Sequence, residues 1–104
     1  MDITITSQEI RITDMRTGDE VFMQTARKIQ DFLKTLHDED SIADTAITQV
    51  VWHTTEYTLQ IQGKDFAPVN IFTAENRHEY TGSTLHIVKR YVFDILDTLR
   101  LETP

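Results

Sequence analysis

Isoleucines alternate with polar residues at the start of the chain, at Ile3, Ile5, Ile10 and Ile12. A period of two predicts a half-buried β-strand, here over Ile3–Thr13. The alternation keeps its phase within each pair of isoleucines and loses it across Ser7–Glu9. We therefore expect either a β-bulge or a tight bend at Ser7–Glu9.

Two later stretches repeat apolar residues at every third or fourth position, which is the spacing of one face of an α-helix. The first stripe consists of Phe22, Ala26, Ile29, Leu33 and Leu36, and the second of Leu85, Val88, Val92, Ile95 and Leu99. The stripes predict amphipathic helices over Gly18–His37 and Ser83–Leu101. Thr17 and Glu20 match a capping box, and the carboxylates of Asp38–Asp40 oppose the dipole of the first helix and end it.

Three segments between the helices are typical of β-strands, namely Ala46–Thr54, Glu56–Gln62 and Phe66–Thr73. The middle segment alternates apolar and polar residues, and Gly63–Asp65 predicts the turn after it. Pro68 cannot donate a ladder hydrogen bond. The last strand is therefore expected to lie at an edge of the sheet or to begin its pairing after Pro68.

The order β-α-β-β-β-α predicts an α+β fold, a two-layer sandwich in which a mostly antiparallel four-stranded sheet carries both helices on one face. The 104 residues fit a single domain over residues 1–104, which buries roughly 65% of its unfolded surface without disulfides or a metal. Cysteine is absent, the chain starts without a basic leader, and no stretch reaches the ~18 apolar residues of a membrane span. We expect a cytoplasmic protein that has no membrane partner.

The charge of the chain is unbalanced, with 17 acidic and 10 basic residues and a formal net charge of −7. Binding to free DNA is not expected, because it needs clustered lysine and arginine. The predicted helices hold six bases and five acids, so the acid excess falls in the segments outside them. It is densest in a predicted solvated loop that contains Asp38, Glu39, Asp40 and Asp44. A basic protein partner would bind at this loop.

The acidic loop does not match a calcium site. A calcium loop beginning at Asp38 needs an oxygen ligand at Ile42, a glycine at Ala43 and a glutamate at Gln49. All three positions fail, so the carboxylates are predicted to be solvated.

No other segment predicts a metal, a cofactor or a catalytic group. Glu75, His78, Glu79 and His86 lack the helical spacing of a histidine metal pair. Thr81–Thr84 is predicted to be a helix cap and turn rather than a phosphate loop. With no nucleophile motif, the chain is predicted to be non-enzymatic and free of cofactors.

Two segments resemble the ribosome hibernation-promoting factors, also called ribosome-associated inhibitors. Ile5–Thr13 is similar to the end of their first strand, and His78–Thr81 is similar to the acidic and tyrosine-containing stretch that opens their second helix. The resemblance implies the compact β-α-β-β-β-α domain of that family. It also implies binding in the decoding region of the small ribosomal subunit. It also implies contact between ribosomal RNA and the basic helix residues Arg27, Lys28, Lys34, Lys89, Arg90 and Arg100.

Three hypotheses of function follow. The first is a small acidic regulatory protein of the inhibitor, immunity or nucleic-acid-mimic type, which binds a protein partner through the acidic loop. The second is a ribosome-associated inhibitor of translation. The third is a small-molecule-binding domain with a pocket between the sheet and the helices, for which His53 and His86 are candidate residues. An unpaired edge strand or a spare helix surface would also allow a homodimer.

Overall fold

The computed structural model describes residues 1–14, 20–54, 58–64, 66–72 and 84–102. The strands within these ranges are β1 (Asp2–Ile5), β2 (Ile10–Thr13), β3 (Ile47–His53), β4 (Thr58–Gly63) and β5 (Val69–Phe72). The helices are α1 (Glu20–Glu39), α2 (Ser41–Ala46) and α3 (Thr84–Glu102). The α+β class that the sequence predicts is confirmed. The short helix α2 is an addition to the predicted order.

The predicted N-terminal strand is a hairpin, because the chain bends back where the alternation breaks. The N–H of Thr6 donates to the carbonyl of Glu9 (2.9 Å), and the Thr6 hydroxyl accepts from the N–H groups of Gln8 (3.2 Å) and Glu9 (3.0 Å). A hydroxyl that satisfies backbone donors in this way favours a turn over a continued strand. The sheet therefore has five strands rather than the expected four.

All neighbouring strands of the sheet are antiparallel, in the order β2-β1-β3-β4-β5. One row of paired residues crosses all five strands and consists of Ile12, Ile3, Trp52, Leu59 and Phe72. Side chains two residues apart point to the same face of a strand. This alternation gives the sheet one apolar face, on which Ile3, Ile5, Val50, Trp52, Leu59 and Ile61 are buried.

The apolar stripes of α1 and α3 cover this face of the sheet. Buried helix residues include Ala26, Ile29, Leu33, Val88, Val92 and Leu96. The ring of Phe22 meets the ring of Trp52 edge-on, with 5.3 Å between the centroids. Every buried residue in the described part of the chain is hydrophobic. Apolar side chains thus form the described core between the sheet and the helices.

β5 forms one edge of the sheet and begins after Pro68, as the missing N–H of proline predicts. None of the described helices combines the length and the apolar character of a bilayer-spanning segment.

Several predicted features lie outside the described residues. They are Thr17 of the capping box, the turn residue Asp65, the Glu75, His78 and Glu79 group and Thr81–Ser83.

Candidate functional site

The acidic segment is a junction between two helices rather than the predicted solvated loop. α1 runs to Glu39, so Asp38 and Glu39 are helical, and α2 follows after the single residue Asp40. The Asp40 carboxylate caps α2, because it accepts from the N–H groups of Ile42 (3.0 Å) and Ala43 (3.3 Å). These are donors that the start of a helix leaves unpaired. The Asp40 cap therefore stabilises the start of α2 directly after the end of α1.

Arg100 of α3 binds to this junction. It forms one ion pair with Asp40 and a second with Asp97, one turn earlier in α3 (3.2 Å). The Asp40 side chain is 17% exposed, and one of its oxygens accepts from the α2 N–H groups while the other pairs with Arg100. Asp40 thus stabilises the fold and is largely withdrawn from solvent. Arg100, one of the six residues predicted to face RNA, is paired with carboxylates of its own chain.

Replacing Asp40 separates its two contributions to stability. Asp40→Asn keeps an acceptor for the α2 cap and loses the charge, so we expect the free energy of unfolding to fall by less than ~1 kcal/mol. Asp40→Ala loses both the cap and the ion pair, and we expect a fall of about 2 kcal/mol. Urea denaturation of the two variants measures the difference. Equal losses would show that the cap contributes nothing.

Four exposed carboxylates surround the pair of Asp40 and Arg100, and they belong to Asp38, Glu39, Asp44 and Asp97. We refer to these four together with Asp40 as the acidic junction. Arg100 is the one lysine or arginine that pairs with it in the described chain. Because the four exposed carboxylates stand on helices, their backbone is already ordered, and binding a partner has to order only their side chains.

His37 packs beneath the acidic junction, between α1 and α2. Its side chain is 15% exposed, and its Nδ1 lies 3.8 Å from Oδ1 of Asp44. Its Nε2 is buried and has no hydrogen-bond partner in the described chain. The Nε2 side of the imidazole therefore packs inside the fold, and the Nδ1 side faces Asp44. Among the described residues, no group of three or more histidine, aspartate and glutamate side chains is placed to hold a metal ion.

The other five residues predicted to face RNA lie on the outer side of the helical layer. Arg27, Lys28, Lys34 and Arg90 are exposed, and Lys89 is half-buried. Lys28 and Lys89 line a groove with Phe32, and the Lys89 ammonium lies 5.5 Å from the centre of the Phe32 ring. Within the described ranges, none of the five pairs with a carboxylate.

His53 and His86 lie in different layers and do not form a common pocket. His53 follows the buried Trp52 on β3, so its side chain points to the uncovered face of the sheet. There its Nδ1 lies 3.0 Å from Oδ1 of Asp2 on β1. His86 is exposed on α3. The structure therefore does not bring these two candidate residues of the third hypothesis together.

Asp97 is the member of the acidic junction that sequence reasoning missed. Its spacing of three residues from Arg100 on a helix indicates a local ion pair. The ion pair between Asp40 and Arg100 has no such signal in the sequence, because the two residues are far apart along the chain.

Comparison of the chain with models of protein families, with curated protein sequences and with solved structures found no match. The resemblance to hibernation-promoting factors stays a prediction. A proposal of function therefore depends on the geometry of the chain itself.

Proposed function

We propose that the protein is a small acidic, non-enzymatic regulator that binds a basic protein partner through the acidic junction, as inhibitor, immunity and nucleic-acid-mimic proteins do. The observation that supports this proposal best is the set of four exposed carboxylates fixed on helices around one guanidinium. Clustered negative charge speeds association with a basic surface and disfavours an acidic one. The absence of cysteine fits a reducing cytoplasm as the place of action.

The double variant Asp38→Asn with Asp44→Asn tests this proposal. Both residues are exposed, and neither takes part in the pair of Asp40 and Arg100. The variant therefore keeps the fold and removes two charges from the acidic junction. With immobilised protein and a native lysate, we expect the capture of basic proteins at low salt to fall about tenfold, measured by quantitative mass spectrometry.

The matched control is Glu20→Gln with Asp31→Asn. It removes two charges from exposed positions of α1 outside the acidic junction, and it should capture the same proteins as the unmodified chain. High salt should weaken all capture, because it screens exposed charges. Equal losses in both double variants would assign binding to net charge alone, and unchanged capture by Asp38→Asn with Asp44→Asn would contradict the proposal.

The ribosome-associated hypothesis is the second candidate. It is favoured by the five helix bases that pair with no carboxylate in the described ranges. In the same capture experiment it predicts small ribosomal subunits among the retained material. Lys28→Glu with Arg90→Glu would then abolish their retention, whereas the double variant of the acidic junction would not.

A further inference from the structure

An apolar groove lies between the outer strand of the sheet and the last helix. Its walls are Phe66, Ala67 and Val69 beside and on β5, and Tyr91, Ile95 and Leu99 on α3. Its volume is about 410 Å³, which is in the size range of binding pockets in proteins. The groove therefore has room for apolar side chains from a ligand.

The rim of the groove carries one carboxylate, and the guanidinium of Arg90 lies 5.2 Å from the centre of the Tyr91 ring in the groove wall. Asp94 and Thr98 of α3 form the rim, and both are exposed. No lysine or arginine lines the groove among the described residues. The other flank of the same stretch of α3 carries Asp97 and Arg100, so α3 separates the groove from the acidic junction. An apolar floor under a carboxylate is complementary to a segment that has an apolar residue close to a lysine or arginine.

The strand beside the groove presents an edge without charge. β5 has β4 as its one neighbour in the described sheet, and Val69–Phe72 contains no ionisable residue. The opposite outer strand, β2, carries Arg11, which forms an ion pair with Glu9 (2.9 Å). Charged residues on an outer strand discourage the addition of further strands. β2 is thus protected in this way, whereas the described residues of β5 carry no such charge.

We propose that the edge of β5 and the groove together bind an extended basic segment of a protein partner. The segment adds to β5 as a sixth strand, and every second residue of it faces α3. An apolar side chain then fills the space between Val69 and Ile95, and a lysine or arginine two residues away pairs with Asp94. This inference rests on the proposed binding function and identifies the part of the partner that is recognised.

The charge of the chain favours a basic partner over a second copy of the protein. Two copies joined at β5 would bring two chains of net charge −7 together, with an Asp94 rim on each. Like charges oppose such an association. A basic segment, in contrast, is attracted by the rim and by the net charge.

The probe for this inference is a short blocked peptide in which valine and lysine alternate at every second position, with threonine between them. Titrated into the full chain labelled with ¹⁵N, it should shift the amide signals of β5 and of α3 around Asp94. The matched peptide with glutamate in place of lysine should leave these signals unchanged. High salt should weaken the binding of the lysine peptide.

Ala67→Arg tests the groove without disturbing the core, because Ala67 is exposed and lies outside the strands. The arginine fills the groove and pairs with Asp94, so we expect the affinity for the lysine peptide to fall about tenfold or more. The control is Thr13→Arg, which adds the same charge at an exposed position on the opposite outer strand. It should bind as the unmodified chain does.

Each of several results would overturn the inference. These are unchanged affinity in Ala67→Arg, equal binding of the glutamate peptide, and peptide-induced shifts at Asp38 and Asp44 instead of β5. A dimer in analytical ultracentrifugation that Ala67→Arg dissociates would identify a second copy as the occupant. The test is separate from that of the proposed function. Unchanged lysate capture in Asp38→Asn with Asp44→Asn would contradict the role of the acidic junction while the groove still binds the peptide.

Discussion

Leu59→Ala is expected to lower the free energy of unfolding by about 2–5 kcal/mol, because it opens a cavity at the centre of the core. Leu59 is fully buried on β4, between Trp52 of β3 and Phe72 of β5 in the row that crosses the sheet. The edge contact between the Trp52 and Phe22 rings opposes a movement of Trp52 into the cavity. Urea denaturation should show a lower midpoint with an unchanged slope.

The control for this prediction is the same substitution at an exposed leucine. Leu101 on α3 is 87% exposed, and Leu101→Ala should change stability by no more than about 0.5 kcal/mol. The difference between the two losses in free energy of unfolding then gives the contribution of burying the leucine side chain, since the atoms removed are the same. Equal losses in the two variants would contradict the position of Leu59 in the core.

Gly63→Ala has the second large expected effect, a loss of roughly 1–3 kcal/mol in the free energy of unfolding. Gly63 ends β4 and pairs with Ile47 at the start of β3. A Cβ atom there would overlap the ring of Phe66 and the carbonyl oxygen of Ala46. The ring belongs to a side chain, which can change its torsion angles, but the carbonyl belongs to the backbone and accepts from the N–H of Lys64 (3.1 Å). The backbone must therefore shift, and this hydrogen bond weakens.

Two measurements separate these causes. Hydrogen exchange at the Lys64 amide should be faster in Gly63→Ala than in the unmodified chain, because the bond to Ala46 is strained. Combining Gly63→Ala with Phe66→Ala should give losses that nearly add, since the ring is the smaller obstacle. If Phe66→Ala instead restores most of the stability, the ring and not the carbonyl sets the need for glycine. Lys64→Ala, at an exposed neighbouring position, should have little effect.

The two proposed binding surfaces lie on opposite flanks of the same part of α3. Asp97 and Arg100 belong to the acidic junction, whereas Asp94 and Ile95 belong to the groove. A basic partner that places one segment beside β5 is therefore positioned to meet the acidic junction as well. Two weak contacts made by one partner bind more tightly than either alone.

Hydrophobic periodicity predicted the main elements because it reports which face of a helix or strand is buried. The stripe from Phe22 to Leu36 became α1, and the alternation after Glu56 became β4. Periodicity left the N-terminal break open between a bulge and a bend. The Thr6 hydroxyl decided it, because this side chain pairs with backbone N–H groups that a continued strand would have used in its ladder.

The loop predicted at Asp38–Asp44 was wrong for a local reason, although Asp38, Glu39 and Asp44 are exposed as predicted. The segment after Asp40 is too short for an apolar stripe to repeat, so periodicity gives no helix there. The sequence signal for α2 is its N-cap residue, Asp40, followed by Ala43 and Ala46. These two alanines are three residues apart and both are buried. Charge density alone had indicated solvent exposure, yet Asp40 is used inside the fold.

Local periodicity and composition were enough to predict the fold class, the two long helices and the excess of negative charge. The three-dimensional structure was needed to learn which charges pair and which strands lie at the edges of the described sheet. Arg100 reaches Asp40, and β5 rather than another strand lies beside α3, because of strand order and helix packing. Such contacts join residues far apart in the chain, and no local pattern encodes them.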